Sequence, residues 1–188
     1  MLFHHEGIII YATTTILQKK LTLVAVLQKK IILQLFFSTL RYIASHCRAN
    51  VIVVEDDVQL QKILKIRADL PDLKAIVQYT GEPAEGSGAL SWSQLIQLGT
   101  DSREEMRGEA DQRLKDMAIN QCCGLVYTSG TTGSPKGVMI SHDNLTFTAR
   151  VIGETYDGVY EGERVVSYLP LSHIAALELD MVFVMLFR

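Results

Sequence analysis

The chain has 188 residues, 48% of them apolar and 21% charged, the length and balance of one ordinary globular domain with a single core. Its net charge of −3 divides into +5 over residues 1–50 and −8 beyond, but the basic residues come mainly as two lysine pairs in apolar sequence, without interleaved aromatics, which argues against a nucleic-acid surface. The longest apolar runs, Leu21–Leu27 and Ile31–Phe37, fall short of the ~20 residues that span a bilayer, and the three cysteines make neither C-x-x-C nor zinc spacing.

The start, Met1–Glu6, lacks the basic residues and cleavage site of a secretory signal, and the sparse cysteines suit a reducing compartment. A cytoplasmic protein is expected, and the basic, apolar stretch 15–40 would suit peripheral contact with the endoplasmic reticulum or another membrane. Gly7–Ala12 is a short β-branched run and predicts a buried strand. Within 15–40 the tetrapeptide Leu-Gln-Lys-Lys occurs at 17–20 and again at 27–30, neither helical nor strand periodicity prevails, and the stretch reads as an insertion. Arg41–Arg48 predicts the end of a helix with Asn50 as its left-handed stop. Val51–Val54 is a strand. Asp56 or Asp57 then caps a helix that turns Leu60, Ile63, Leu64 and Ile66 or Arg67 toward the core, Pro71 closes it, and Ala75–Tyr79 returns as a strand. This alternation predicts an α/β fold, a mostly parallel sheet flanked by helices. Residues 81–118 read as a connecting segment: a loop at Gly81–Gly88, a helix opened by the capping box Ser91-x-x-Gln94 and ending near Gly99, and a charged, partly helical stretch Asp101–Asp116.

Cys122–Tyr127 predicts a strand entered through two small residues. It runs into Thr128-Ser129-Gly130-Thr131-Thr132-Gly133-Ser134-Pro135-Lys136-Gly137. Gly130, Gly133 and Gly137 permit positive φ and close approach to a bound group, and successive amides in such a turn form a nest for an anion. Five hydroxyls, on Thr128, Ser129, Thr131, Thr132 and Ser134, and the mobile charge of Lys136 add donors, so the expected ligand is a polyphosphate, most simply ATP. The spacing is not that of the common P-loop, because the lysine is followed by glycine rather than by a hydroxyl residue. A flexible linker would share the composition, but not the strand before, the lysine, or the strand Val138–Ile140 after. Ser141–Asn144 then caps a helix over Leu145–Thr155, Asp157–Gly162 is a turn, and Arg164–Leu169 is a strand stopped by Pro170. His173 follows at the strand end, before the apolar, helical tail Ile174–Phe187.

The string Tyr-Thr-Ser-Gly-Thr-Thr-Gly-Ser-Pro-Lys-Gly-Val resembles the AMP-binding signature of adenylate-forming enzymes. The wording Ser-Tyr-Leu-Pro-Leu-Ser-His-Ile-Ala-Ala, with residues 41–80 and 120–177 more broadly, is similar to the bubblegum-type long-chain acyl-CoA synthetases. The resemblance implies a partial N-terminal domain of the acyl-CoA synthetase fold. It also implies ATP-dependent activation of a long-chain fatty acid through an acyl-adenylate, with Mg2+ and with coenzyme A as co-substrate. It assigns the β- and γ-phosphates to Thr128 through Lys136, with Thr132 touching phosphate or its metal, and gives His173 a catalytic place lining the acyl site. His142 has a structural place at the start of a helix, and no metal ligand is assigned.

The family's adenine-loop block, its ribose-holding block and its C-terminal lysine domain would follow after Arg188, and 177–188 drifts from the family pattern. The 188 residues alone are therefore expected to bind ATP weakly or not at all and to make no acyl-CoA, since a loop without adenine and ribose contacts must lose entropy to close on its ligand. The competing expectation is a truncated, inactive module that binds partners or a lipid surface.

Overall fold

The computed structural model describes residues 8–13, 22–27, 37–128, 134–155, 166 and 173–186. Strands β1 (Ile8–Thr13), β2 (Thr22–Leu27), β3 (Val51–Val54), β4 (Ala75–Gln78), β5 (Leu90–Ser91), β6 (Cys122–Thr128) and β7 (Lys136–Ser141) form one sheet in the order β5-β4-β3-β2-β1-β6-β7. It is parallel from β2 through β5 and antiparallel from β2 through β1 and β6 to β7. The α/β class and the parallel half follow the alternation of strand and helix, and the antiparallel half consists of the sequence-neighbouring pairs β1–β2 and β6–β7 joined where β1 lies against the distant β6.

β2 lies inside the stretch that showed neither period. The run Thr-Leu-Val-Ala-Val-Leu lacks the apolar–polar alternation that marks a strand with one solvent-facing side, so periodicity alone does not announce it. Its register, Val26 opposite both Ile9 and Val53, joins the two halves of the sheet.

Helices α1 (Phe37–His46) and α2 (Asp57–Ile66) share one core with β3 and β4, built from Leu40, Ile43, Ile52, Leu60, Ile63 and Ile76 among others. Asp56 is the cap of α2, its carboxylate accepting from the Gln59 amide at 3.1 Å. Leu60, Ile63 and Ile66 are buried at helical spacing, while Leu64 is only partly so. The left-handed residue after α1 is Arg48 (φ 53°), not Asn50. The Ala49 amide donates to Ala44 O and the Arg48 amide to Ser45 O, both at 3.0 Å, which is a Schellman close with an arginine in the usual glycine position. Arg48 is held there by a fork onto Asp72, at 3.1 and 3.2 Å, and the Asn50 side chain donates to Asp72 O.

The connecting segment is more regular than expected. The Ser91–Gln94 capping box forms and opens α3 (Trp92–Asp101), and α4 (Arg103–Asp116) is helical throughout, supported by a Glu109–Arg113 ion pair one turn apart. Neither helix buries a side chain. Helix α5 spans His142–Thr155, starting three residues earlier than expected, with Ser141 and Asn144 exchanging side chain-to-amide bonds at 3.0 and 3.1 Å. The described chain ends in a helical run, α6: Ile174–Ala176, a π-helical part Leu177–Phe183, and Val184–Leu186. The expected turn at Asp157–Gly162 and strand at Arg164–Leu169 lie outside the described residues, apart from the exposed Val166. Among the described residues no helix is long and apolar enough to cross a membrane.

Candidate functional site

β6 and β7 are neighbouring antiparallel strands, and the ends that carry the glycine- and hydroxyl-rich loop, Thr128 and Lys136, stand directly opposite each other. Both are exposed, as is Ser134, while Pro135 is partly buried. Ser129, Gly130, Thr131, Thr132 and Gly133 lie outside the described residues. The hairpin therefore presents a hydroxyl and an ammonium side by side at its open end, a donor set that suits a phosphate chain. Among the described residues no group of three or more His, Cys, Asp or Glu side chains could hold a metal ion.

The base of the loop is anchored from the core side. Alternation along β6 turns Tyr127 into the core, where it is 2% exposed, and turns Val126 and Thr128 to the opposite face. The Tyr127 hydroxyl lies 2.6 Å from His46 Nδ1, and the His46 ring stacks on Tyr42 and meets Tyr127 edge-on. Burial, with the neighbouring Cys47 and Tyr42, pushes the Tyr127 phenol far above its ordinary range, so it keeps its proton and can donate to an unprotonated imidazole nitrogen. Burial likewise pushes the Cys47 thiol up to about 11.

Gly137 faces this same ring. A Cβ there would lie 3.1 Å from Tyr127 Cζ and 3.3 Å from its hydroxyl oxygen, and Gly137 is not among the glycines with positive φ. The expectation that Gly137 frees the backbone to approach a ligand is thus corrected: the glycine after the lysine makes room for the tyrosine before the loop. Across the strand pair Tyr127–Gly137 the aromatic ring covers the glycine, which ties both loop ends together.

On the other face of β6 and β7, a cavity of roughly 620 Å³ opens between the hairpin, α5 and α6. Its walls are mainly apolar, with Val126, Val138, Ile140, Leu145, Ile152 and Leu179 among them, and Thr128 joins it to the end of the loop. α5 is placed to form one wall because its first turn is tied back toward β6, the His142 amide donating to Gln121 O and the Asp143 amide to Ile119 O. His142 accordingly has the structural place expected of it.

His173 caps α6. Its Nδ1 accepts from the Ala175 amide at 3.2 Å, which sets the direction of the helix whose residues Ile174 and Ala175 line the cavity. It stands beside the cavity wall and orients it. Sequence reading missed Glu178, which is 5% exposed and lines the same cavity. Burial raises the Glu178 carboxyl above the usual range, against a smaller opposing effect of the Ala149 backbone amide. The one signal for it in the sequence is an acidic residue in an otherwise apolar tail. His46, paired with Tyr127 from 81 residues away, had no such signal.

Residues 34–187 match the family model described as AMP-binding enzyme. The chain is 51% identical over 144 residues to the long-chain-fatty-acid–CoA ligase ACSBG2 of Xenopus laevis, an alignment covering 74% of this chain and 19% of that protein. It is 51% identical over 145 residues to the long-chain-fatty-acid–CoA ligase ACSBG1 of Rattus norvegicus, covering 75% and 20%. It thus spans about a fifth of the length of these curated relatives. A solved structure similar to it is that of the anthranilate CoA ligase AuaEII in complex with anthranoyl-AMP, at 29% identity and a TM-score of 0.49 over 64% of this chain and 21% of that one.

Proposed function

The chain belongs to the AMP-binding enzyme family, and on that premise we propose that it carries the phosphate-holding and acyl-facing part of a long-chain-fatty-acid–CoA ligase. The observation that supports this best is the common border of two sites of opposite chemistry. Thr128 belongs both to the exposed loop end beside Lys136 and to the wall of the apolar cavity. A fatty acid whose alkyl chain occupies the cavity has its carboxylate at that border, where the triphosphate of ATP meets the loop.

In such a reaction the carboxylate attacks the α-phosphorus, the bond to the leaving pyrophosphate breaks, and the thiol of coenzyme A later displaces AMP from the acyl group. The residues of this chain orient and stabilise. Lys136 and the loop hydroxyls neutralise charge gathering on the β- and γ-phosphates, which matters most as the pyrophosphate leaves. Bound Mg2+ would supply further charge neutralisation there. The cavity excludes water from the alkyl chain, and His173 holds α6 in place as its wall.

Titration of the chain with Mg2+–ATP, followed by amide NMR shifts, tests the reading. Shifts at the Thr128, Ser134 and Lys136 amides are expected, and Lys136→Ala weakens the affinity by about tenfold, the loss of one charge-assisted contact. ATP that leaves these amides unmoved, or binds the variant equally well, overturns it.

A further inference from the structure

The β6–β7 ladder closes on two cross-strand pairs, Tyr127–Gly137 and then Thr128–Lys136, so the donors at the open end of the hairpin stand directly above the tyrosine and the glycine. Where a Cβ at Gly137 would stand, the closest atoms all belong to the Tyr127 side chain, at 3.1 and 3.3 Å, so any swing of the ring either uncovers the glycine backbone or pushes on it. The ring is fixed at its far end. Among the described residues its hydroxyl has one hydrogen-bond partner, His46 Nδ1 at 2.6 Å. His46 closes α1 one turn after Tyr42, on which its ring stacks at a centroid distance of 5.4 Å, and it is exposed. Tyr127 is buried, so its hydroxyl has little water to turn to when that acceptor is removed, and an unpaired buried hydroxyl is costly enough to move the ring.

We propose that His46 is a positioning residue for the phosphate site, acting through the Tyr127 hydroxyl on the Thr128–Lys136 pair and thereby on the affinity for the triphosphate of ATP. This deepens the reading of the hairpin end as the phosphate site and rests on it. An acceptor at the place of Nδ1 keeps the phenol hydrogen paired and the ring over Gly137, which holds the next residue, Lys136, opposite Thr128. Ammonium and hydroxyl then meet the phosphate chain already side by side, and the binding energy is not diminished by having to bring them together. The effect runs through the acceptor atom, not through the bulk of the imidazole or its stacking on Tyr42.

Two substitutions separate the acceptor from the ring. His46→Asn keeps an acceptor, Oδ1, bonded to Cγ as Nδ1 is, but loses the ring; His46→Phe keeps a ring and has no acceptor. Mg2+–ATP is titrated into the full 188-residue chain and its variants, with the Thr128 and Lys136 amide shifts as the readout. His46→Phe is expected to weaken the affinity by about fivefold, and His46→Asn to stay within about twofold of the wild type, the size of effect that residues remote from a ligand exert through packed neighbours. In a Tyr127→Phe background, with no hydroxyl left to hold, His46→Phe is expected to cause no further loss. Circular dichroism checks that every variant folds. A loss in His46→Asn but not in His46→Phe marks a stacking role and overturns the proposal. So does equal affinity in all the variants, or a full loss on His46→Phe in the Tyr127→Phe background. Each of these outcomes leaves the phosphate-site reading standing, whereas ATP that leaves the wild-type amides unmoved overturns both.

Discussion

Tyr127, Gly137 and His46 act as one unit at the base of the loop. The ring fills the space a Cβ at position 137 would take, and its hydroxyl is held at 2.6 Å by the histidine of α1. Tyr127→Phe keeps the ring over Gly137 but removes that bond, so near neutral pH it should lower stability by about 1 kcal/mol, the usual net worth of a buried hydrogen bond. The alkaline limb carries a second signature. Tyr127 and Cys47 both hold their protons more tightly folded than unfolded, so the stability they contribute is intact below the ordinary thiol value of 9.0 and is lost as pH rises toward the folded Cys47 value of about 11 and beyond. Urea unfolding from pH 7 to 11 should show a steeper loss in the wild type than in Tyr127→Phe. Parallel curves would show that the phenol does not contribute to the alkaline loss.

Two well-formed caps illustrate how an element's setting decides what its ends are worth. Asp56 and Ser91 each satisfy amides at a helix start, but α2 is buried in the core through Leu60, Ile63 and Ile66, whereas α3 has no buried residue. Asp56→Ala should cost about 1 kcal/mol of global stability, a fall of roughly 2–4 °C in Tm for a chain of this size. A Tm within 1 °C of the wild type would mean that the core, not the cap, sets the start of α2. The sequence showed the Ser91 cap plainly, because Ser-x-x-Gln is a local pattern, and narrowed the other to Asp56 or Asp57, of which the structure uses Asp56. It also pointed to a stop after α1 but to the wrong residue. The left-handed turn falls on Arg48 because the Schellman bonds count back from Ala44 and Ser45, and Asp72, a distant residue, grips the arginine there.

At the scale of the whole molecule, β2 joins a parallel half of the sheet to an antiparallel half, so amide hydrogen exchange should be slow across Val24–Leu27. Exchange there at the rate of an exposed loop would remove β2 from the middle of the sheet. Much of this molecule was decided within a few residues of sequence. Most strand runs, though not β2 or β5, and the helix starts at Ser91 and Ser141 follow from short-range chemistry, in which neighbours along the chain supply the hydrogen bonds and the φ preferences. Only the tertiary structure decided which residues share a site. It put His46 against Tyr127, set Gly137 under a ring rather than a ligand, and made His173 a cap. It also placed Glu178 in an apolar wall. These are contacts between segments far apart in the chain, governed by burial and strand register, and no local pattern encodes what will lie across a sheet or a cavity.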